Sequence, residues 1–315
     1  MEAHGKGSAD DRGREALVRS AEFGVLSKKM LPVLFLILFA VTPSFAAQNQ
    51  QIAKKLAALE SLHGKFTFIV IGDNRSGDDI YRKLVSIAME RRPDFVVNTG
   101  DMIVVPGNKQ EWAKFWEISK PITVPYFLTV GNHDAHPKAP LSEKTFKQEV
   151  DLPGNELYYS FVTGNSLFIV LDSFMDNQEK RIIGEQFKWL DTVLVNSTQK
   201  HKFVFLHHPL YTDLGKGHHA HESLDKYPES RDRLGALFVK YKVDAVFAGH
   251  EHYYEKRTVD NVLYIITGGG GAPVYDKEEY GGFNHFVQVS VDGDKVSAEV
   301  VDVSGKVRET YAVGR

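Results

Sequence analysis

The sequence predicts an α/β protein built on a largely parallel sheet. Two observations carry this. Short β-branched and aromatic runs alternate with segments of helical periodicity, and each run ends in a cluster of glycine, carboxylate, amide or imidazole residues. The tail, from residue 286 onward, switches to strict apolar/polar alternation with tight turns, which predicts antiparallel strands.

Lys65–Ile71 (KFTFIVI) predicts a buried strand ending at Gly72-Asp73. Residues 79–91 carry Ile80, Leu84, Ile87 and Ala88 at helical spacing, and Pro93 stops the helix. Phe95–Asn98 predicts a second strand, ending at Gly100-Asp101, and residues 110–119 a helix with Trp112, Phe115 and Trp116 as core. Residues 126–130 predict a third strand, ending at Gly131-Asn132-His133-Asp134. A hairpin over 157–162 and 166–171 follows, then a helix over 184–194. Residues 203–206 form a strand ending at His207-His208-Pro209. A polar loop spans 212–229, a helix 231–241, and strand Ala245–Ala248 ends at Gly249-His250-Glu251-His252. Strand Val262–Thr267 runs into four glycines, 268–271, which suit a close approach of backbone to the site. The strands 286–291 and 296–303 close the chain, with turns at Asp292-Gly293 and Ser304-Gly305.

The N-terminus reads as an address. Residues 31–41 (LPVLFLILFAV) follow Lys28-Lys29 and precede Ser44-Phe45-Ala46. Eleven apolar residues as helix reach about 16 Å, against a hydrocarbon core of ~30 Å. The reading is an export signal within residues 1–47, followed by a single domain over 48–315, periplasmic or secreted; an uncleaved membrane anchor is the alternative. No stable membrane association is expected once the signal is removed. The 315 residues are 43% hydrophobic and 25% charged, an ordinary globular balance. A formal charge of −3 gives no footprint for nucleic acid, and the absence of cysteine removes disulfides, thiolate metal sites and a cysteine nucleophile.

Any one of these strand ends is weak evidence. Together, Asp73, Asp101, Asn132-His133, His207 and His250/His252 bring oxygen and imidazole donors to one edge of a sheet, where ligands of α/β folds bind. Carboxylate, amide and imidazole without thiolate suit Mn, Fe, Zn or Co. Asp101, the middle acid, is the natural bridge between two cations ~3.5–4 Å apart. His250 and His252, at i and i+2, face one side of an extended backbone.

The blocks GDNR, GD, GNHD, HHP and GHEH, in this order and spacing over roughly residues 65–270, resemble the calcineurin-like metallophosphoesterases. GHEHYYEK and LHHPLY are most like the purple-acid-phosphatase side of that superfamily. The resemblance implies a four-layer αββα sandwich with two mixed central β-sheets, and hydrolysis of phosphomonoesters or phosphodiesters by a hydroxide bridging two metal ions. It implies that Asp73 and His252 bind the first ion, that Asn132, His207 and His250 bind the second, and that Asp101 bridges. His133 would stand near the leaving oxygen, oriented by Asp134. The expected partner is a small phosphorylated substrate.

The chain departs from the family at two positions. A histidine usual two residues after the first aspartate is Arg75 here, and the tyrosine that purple acid phosphatases place three residues after the bridge is Val104. The first ion thus lacks an extra ligand. Arg75 is read either as a clamp on a phosphate oxygen or as the partner of Asp78 or Asp79. His219, in the loop 215–221 (GKGHHAH), is a candidate substrate contact, and His208 is expected to point away from the site. A metal-dependent peptidase is disfavoured by the lack of a His-Glu-x-x-His helix. The competing reading is a non-hydrolytic metal- or phosphate-binding protein whose first site is impaired.

Overall fold

The structure, a computed structural model, describes residues 51–212 and 222–314. The export segment and His219 lie outside the described residues. Among those described, no helix is long and apolar enough to cross a membrane.

Two six-stranded mixed sheets form the centre. The first has the order β12-β11-β10-β1-β2-β3 and the second β4-β5-β6-β7-β9-β8. In the first, β1 (Lys65–Ile71), β2 (Phe95–Asn98) and β3 (Tyr126–Leu128) are parallel, while β10 (His285–Asp292), β11 (Lys295–Asp302) and β12 (Val307–Ala312) extend the sheet antiparallel. In the second, β5 (Ser166–Val170), β6 (His201–Leu206), β7 (Ala245–Ala248) and β9 (Val262–Thr267) are parallel, flanked by antiparallel edges β4 (Tyr159–Thr163) and β8 (Tyr254–Val259).

Pleating explains how the layers stack, because alternate residues of a strand face opposite sides. On β5 and β6 the phenylalanines Phe168, Phe203 and Phe205 face the first sheet, while Ile169, Val204 and Leu206 face the helices. Phe68 and Phe95 of the first sheet meet Phe168 edge-on at 5.3 and 5.2 Å between centroids, the favoured arrangement for aromatic quadrupoles. Outside the second sheet, α5 (Gly184–Asn196) and α6 (Pro228–Lys240) bury Leu190, Leu194, Leu234 and Phe238. Outside the first, α2 (Asp78–Glu90) and α3 (Lys109–Ser119) bury Tyr81, Leu84, Trp112 and Phe115. The result is the four-layer αββα arrangement. Two further helices, α1 (Ile52–Glu60) and α4 (Ser142–Glu149), complete the described α-helices.

Two α-helices and two strands escaped the sequence reading, α1, α4, β8 and β12, as did the short 3-10 helices Leu224–Lys226 and Glu278–Tyr280. The two strands are sheet edges of charged sequence, YEKRTV and VRETYA, so neither shows an apolar run. The third strand ends at Leu128 rather than Val130, and α6 starts at Pro228, inside the expected loop.

Candidate metal centre

The parallel strands of both sheets end at one place. Asp73 follows β1, Asp101 follows β2, Asn132 follows β3, His207 follows β6, and His250 and His252 follow β7. Three of these residues adopt left-handed backbone: Asp73 (φ 57°), Asp101 (φ 59°) and His250 (φ 69°). Such conformations cost on the order of 1 kcal/mol or more outside glycine and persist where the surroundings over-determine them. The turn at β7 also corrects an expectation. His250 and His252 reach the centre through a tight bend, not along extended backbone: the Glu251 N–H donates to the Gly249 carbonyl at 2.8 Å, and Tyr253 N–H to the Glu251 carbonyl at 2.8 Å.

Of the preceding glycines, Gly100 turns the chain at φ 104°, while Gly72, Gly131 and Gly249 serve close packing. A Cβ on Gly249 would lie 2.2 Å from Asp73 Oδ2, and one on Gly131 would lie 2.3 Å from Asp101 Oδ1. The run 268–271 passes beneath the centre as expected: a Cβ on Gly268 would meet the Glu251 carbonyl oxygen at 2.2 Å, and one on Gly270 the Gly72 carbonyl oxygen at 2.2 Å.

Asp73, Asp101, His207 and His252 are all but sealed from solvent. The Nδ1 of His207 donates to the Thr99 carbonyl at 2.9 Å, which fixes the tautomer and leaves Nε2 as an acceptor. That lone pair faces Asn132 Oδ1 at 3.1 Å and Asp101 Oδ1 at 3.3 Å. His252 repeats the pattern. Its Nδ1 donates to the Pro273 carbonyl at 2.8 Å, and Nε2 faces Asp73 Oδ1 at 3.6 Å. Acceptors that face one another in a buried site repel unless a cation lies between them, so the donor set fits bound metal ions. Donor atoms of Asp73, Asp101 and His207 lie within 4.8 Å of one another, as do those of His207, His208 and His250.

The electrostatics agree. Burial and then the neighbouring Asp101 carboxylate push Asp73 well above the usual carboxylate range, against the pull of Arg75 and the His250 N–H. Burial also works against ionised Asp101, yet His207, His133 and Arg75 together hold it below its ordinary value. Burial lowers His207, against the opposing pull of the Asp101 carboxylate.

Three expectations need correction. His208 does not point away. Strand β6 ends at Leu206, so alternation no longer applies, and the His208 ring lies 4.3 Å from that of His250, with Nδ1 on Ser173 Oγ at 2.9 Å. Asp134 does not orient His133. Its carboxylate accepts the backbone N–H groups of Asp101, Met102 and Gly131 at 2.8–2.9 Å and ties two loops together. His133 is oriented instead through Nδ1, on the Val104 carbonyl at 2.6 Å. Its side chain is 29% exposed, with Nε2 4.0 Å from Asp101 Oδ2, at the rim of the centre. Arg75 pairs with neither Asp78 nor Asp79. Its Nε donates to Asp101 Oδ2 at 3.0 Å, and Asp78 pairs with Lys114 instead.

Below the glycine run, His285 is fully buried, with Nδ1 on the Phe283 carbonyl at 2.8 Å and Nε2 on Thr267 Oγ1 at 3.1 Å. Burial lowers it to about 4. Between that value and its unfolded value of ~6.5, the unfolded chain binds the extra proton, so stability rises with pH and is lost as pH falls through this window. Thermal melts are expected to show an acid-side loss on the order of 3 kcal/mol between about pH 6.5 and 4. His285→Gln flattens that slope.

The two mixed sheets thus bring their donors together where the parallel strands end. Residues 66–254 match the calcineurin-like phosphoesterase family, and the chain belongs to it. It is similar to purple acid phosphatase 23 of Arabidopsis thaliana (29% identity over 211 residues, 64% of this chain and 41% of the relative). It is also similar to a purple acid phosphatase of Glycine max (30% over 234 residues, 67% and 48%) and to Fe(3+)-Zn(2+) purple acid phosphatase 12 of Arabidopsis thaliana (31% over 180 residues, 53% and 36%). The chain thus spans less than half the length of these relatives. Among solved structures, purple acid phosphatase from yellow lupin (Lupinus luteus) seeds shares the fold, with a TM-score of 0.67 at 20% identity, covering 81% of this chain and 54% of that one.

Proposed function

We propose that the chain is an exported metal-dependent phosphoesterase acting on small phosphorylated substrates through a dinuclear centre. The observation that carries this reading is the facing of the His207 and His252 lone pairs onto amide and carboxylate oxygens in a buried site. Asp73 and His252 would hold one ion, Asn132, His207 and His250 the other, with Asp101 between them. The purple acid phosphatase relatives, one of them named for iron and zinc, support two transition-metal ions, and carboxylate, amide and imidazole donors suit Mn, Fe, Zn or Co. Bound there, two cations lower the pKa of a water and neutralise charge on phosphoryl oxygens.

The chain's own groups do the remainder. Backbone N–H groups of His133 and His250 fix the Asp101 and Asp73 carboxylates at 3.0 Å, so both acids are aimed before substrate arrives. His133, partly exposed and held by the Val104 carbonyl, stands at the rim of the centre where it would face a leaving oxygen. Export rests on residues 28–47 alone.

The test is to strip the full chain with a chelator and restore Mn, Fe, Zn or Co singly, following p-nitrophenyl phosphate and its bis ester. Hydrolysis is expected to vanish on stripping and return with at least one metal. Undiminished turnover without metal would sink the reading. Tight metal binding with no turnover on either ester would leave the non-hydrolytic alternative.

A further inference from the structure

The two flanks of Asp101 are not alike. Oδ1 accepts the His133 backbone N–H at 3.0 Å and faces His207 Nε2 at 3.3 Å. Oδ2 accepts from Arg75 Nε at 3.0 Å, and the Arg75 backbone N–H donates to the Asp101 carbonyl at 3.2 Å. This ion pair is nearly closed to water, with side chains 13% and 1% exposed. A guanidinium cannot lose its proton at any ordinary pH, so the charge beside Oδ2 is permanent.

The donors divide unequally as well. On the proposed ligand division Asp101 Oδ1, Asn132, His207 and His250 would serve one half of the centre: His207 Nε2 lies 3.1 Å from Asn132 Oδ1 and 3.3 Å from Asp101 Oδ1, and donor atoms of His207, His208 and His250 lie within 4.8 Å of one another. The other half has Asp73 and His252, and the shared carboxylate meets it on the flank that Arg75 holds. The apolar side chain of Val104 adds no donor, and its carbonyl accepts from His133 Nδ1.

We infer that Arg75 makes the two halves unequal: one ion is held tightly by Asp101, Asn132, His207 and His250, and a second binds beside Asp73 and His252 roughly ten-fold or more weakly. This rests on the metal-dependent reading above and adds regulation to it. Activity then follows the free cation concentration over the range in which the weaker half fills, and Arg75 sets that range.

Equilibrium dialysis of the full chain against graded Mn²⁺ or Zn²⁺, with bound metal counted by mass spectrometry, reads the stoichiometry without reference to turnover. The wild type is expected to show one tight equivalent and a second at clearly higher free metal. Arg75→His, which removes the charge and offers an imidazole, brings the two affinities together. Arg75→Gln, which removes only the charge, narrows the gap in part. Asp73→Asn keeps the tight equivalent and loses the weak one. Circular dichroism and melting confirm that each variant is folded. Two equally tight equivalents in the wild type, a gap unchanged in both Arg75 variants, or loss of the tight equivalent in Asp73→Asn would each overturn the inference. Two equal sites with normal turnover remove it alone, whereas a wild type that binds no cation removes it together with the phosphoesterase reading.

Discussion

Asp101→Asn is expected to lower kcat by roughly 10³-fold, equivalent to about 4 kcal/mol of barrier. The substitution preserves shape, and the backbone N–H of residue 101 keeps its bond to Asp134 Oδ2. What it removes is the carboxylate charge proposed to serve both halves of the centre, and with it the ion pair to Arg75 and one of the two acceptor oxygens. The measurement is steady-state hydrolysis of p-nitrophenyl phosphate in saturating metal, beside a far-UV spectrum to show that the fold is kept. Activity within a factor of ten of wild type would mean that Asp101 is no part of the reacting centre.

Gly249→Ala is expected to be nearly as damaging, although residue 249 contributes no donor. The added Cβ would stand 2.2 Å from Asp73 Oδ2 and 3.0 Å from Thr99 Oγ1, and neither is the far end of a flexible chain. Asp73 must move, and misplacing a reacting group by about 1 Å costs around 10²-fold. Overpacking of this kind also costs ~1–3 kcal/mol of stability, which lowers Tm by several degrees in a domain of this size. Gly293→Ala serves as the comparison. Residue 293 has φ 58° with nothing within 4 Å of its would-be Cβ, so it loses about 1 kcal/mol from backbone strain and no activity. Equal activity in the two variants would contradict the role assigned to Gly249.

The parts of the fold and centre that were legible in sequence are those where burial and chemistry coincide. Strand β1 reads as KFTFIVI because both its faces are covered, and it ends at Asp73 because the sheet ends there. The same holds for β2 with Asp101 and β7 with His250. The edge strands β8 and β12 were opaque because their residues pair on one side only and face water on the other. His208 was misjudged because period-two alternation was carried two residues past the end of β6, and the His250–His252 bend was misjudged in the same way. The partner of Arg75 was beyond sequence reasoning. Asp101 is 26 positions away, and only the pairing of β1 with β2 brings the loops that follow them together.

The donors are drawn from both layers of the sandwich: Asp73, Asp101 and Asn132 from one, His207, His250 and His252 from the other. An ion seated among them acts as a rivet across the seam. On the proposed ligand set, loading would wait until the polypeptide past residue 252 has been made and both layers have closed, and each ion would then add its binding free energy to the resistance of that seam against opening.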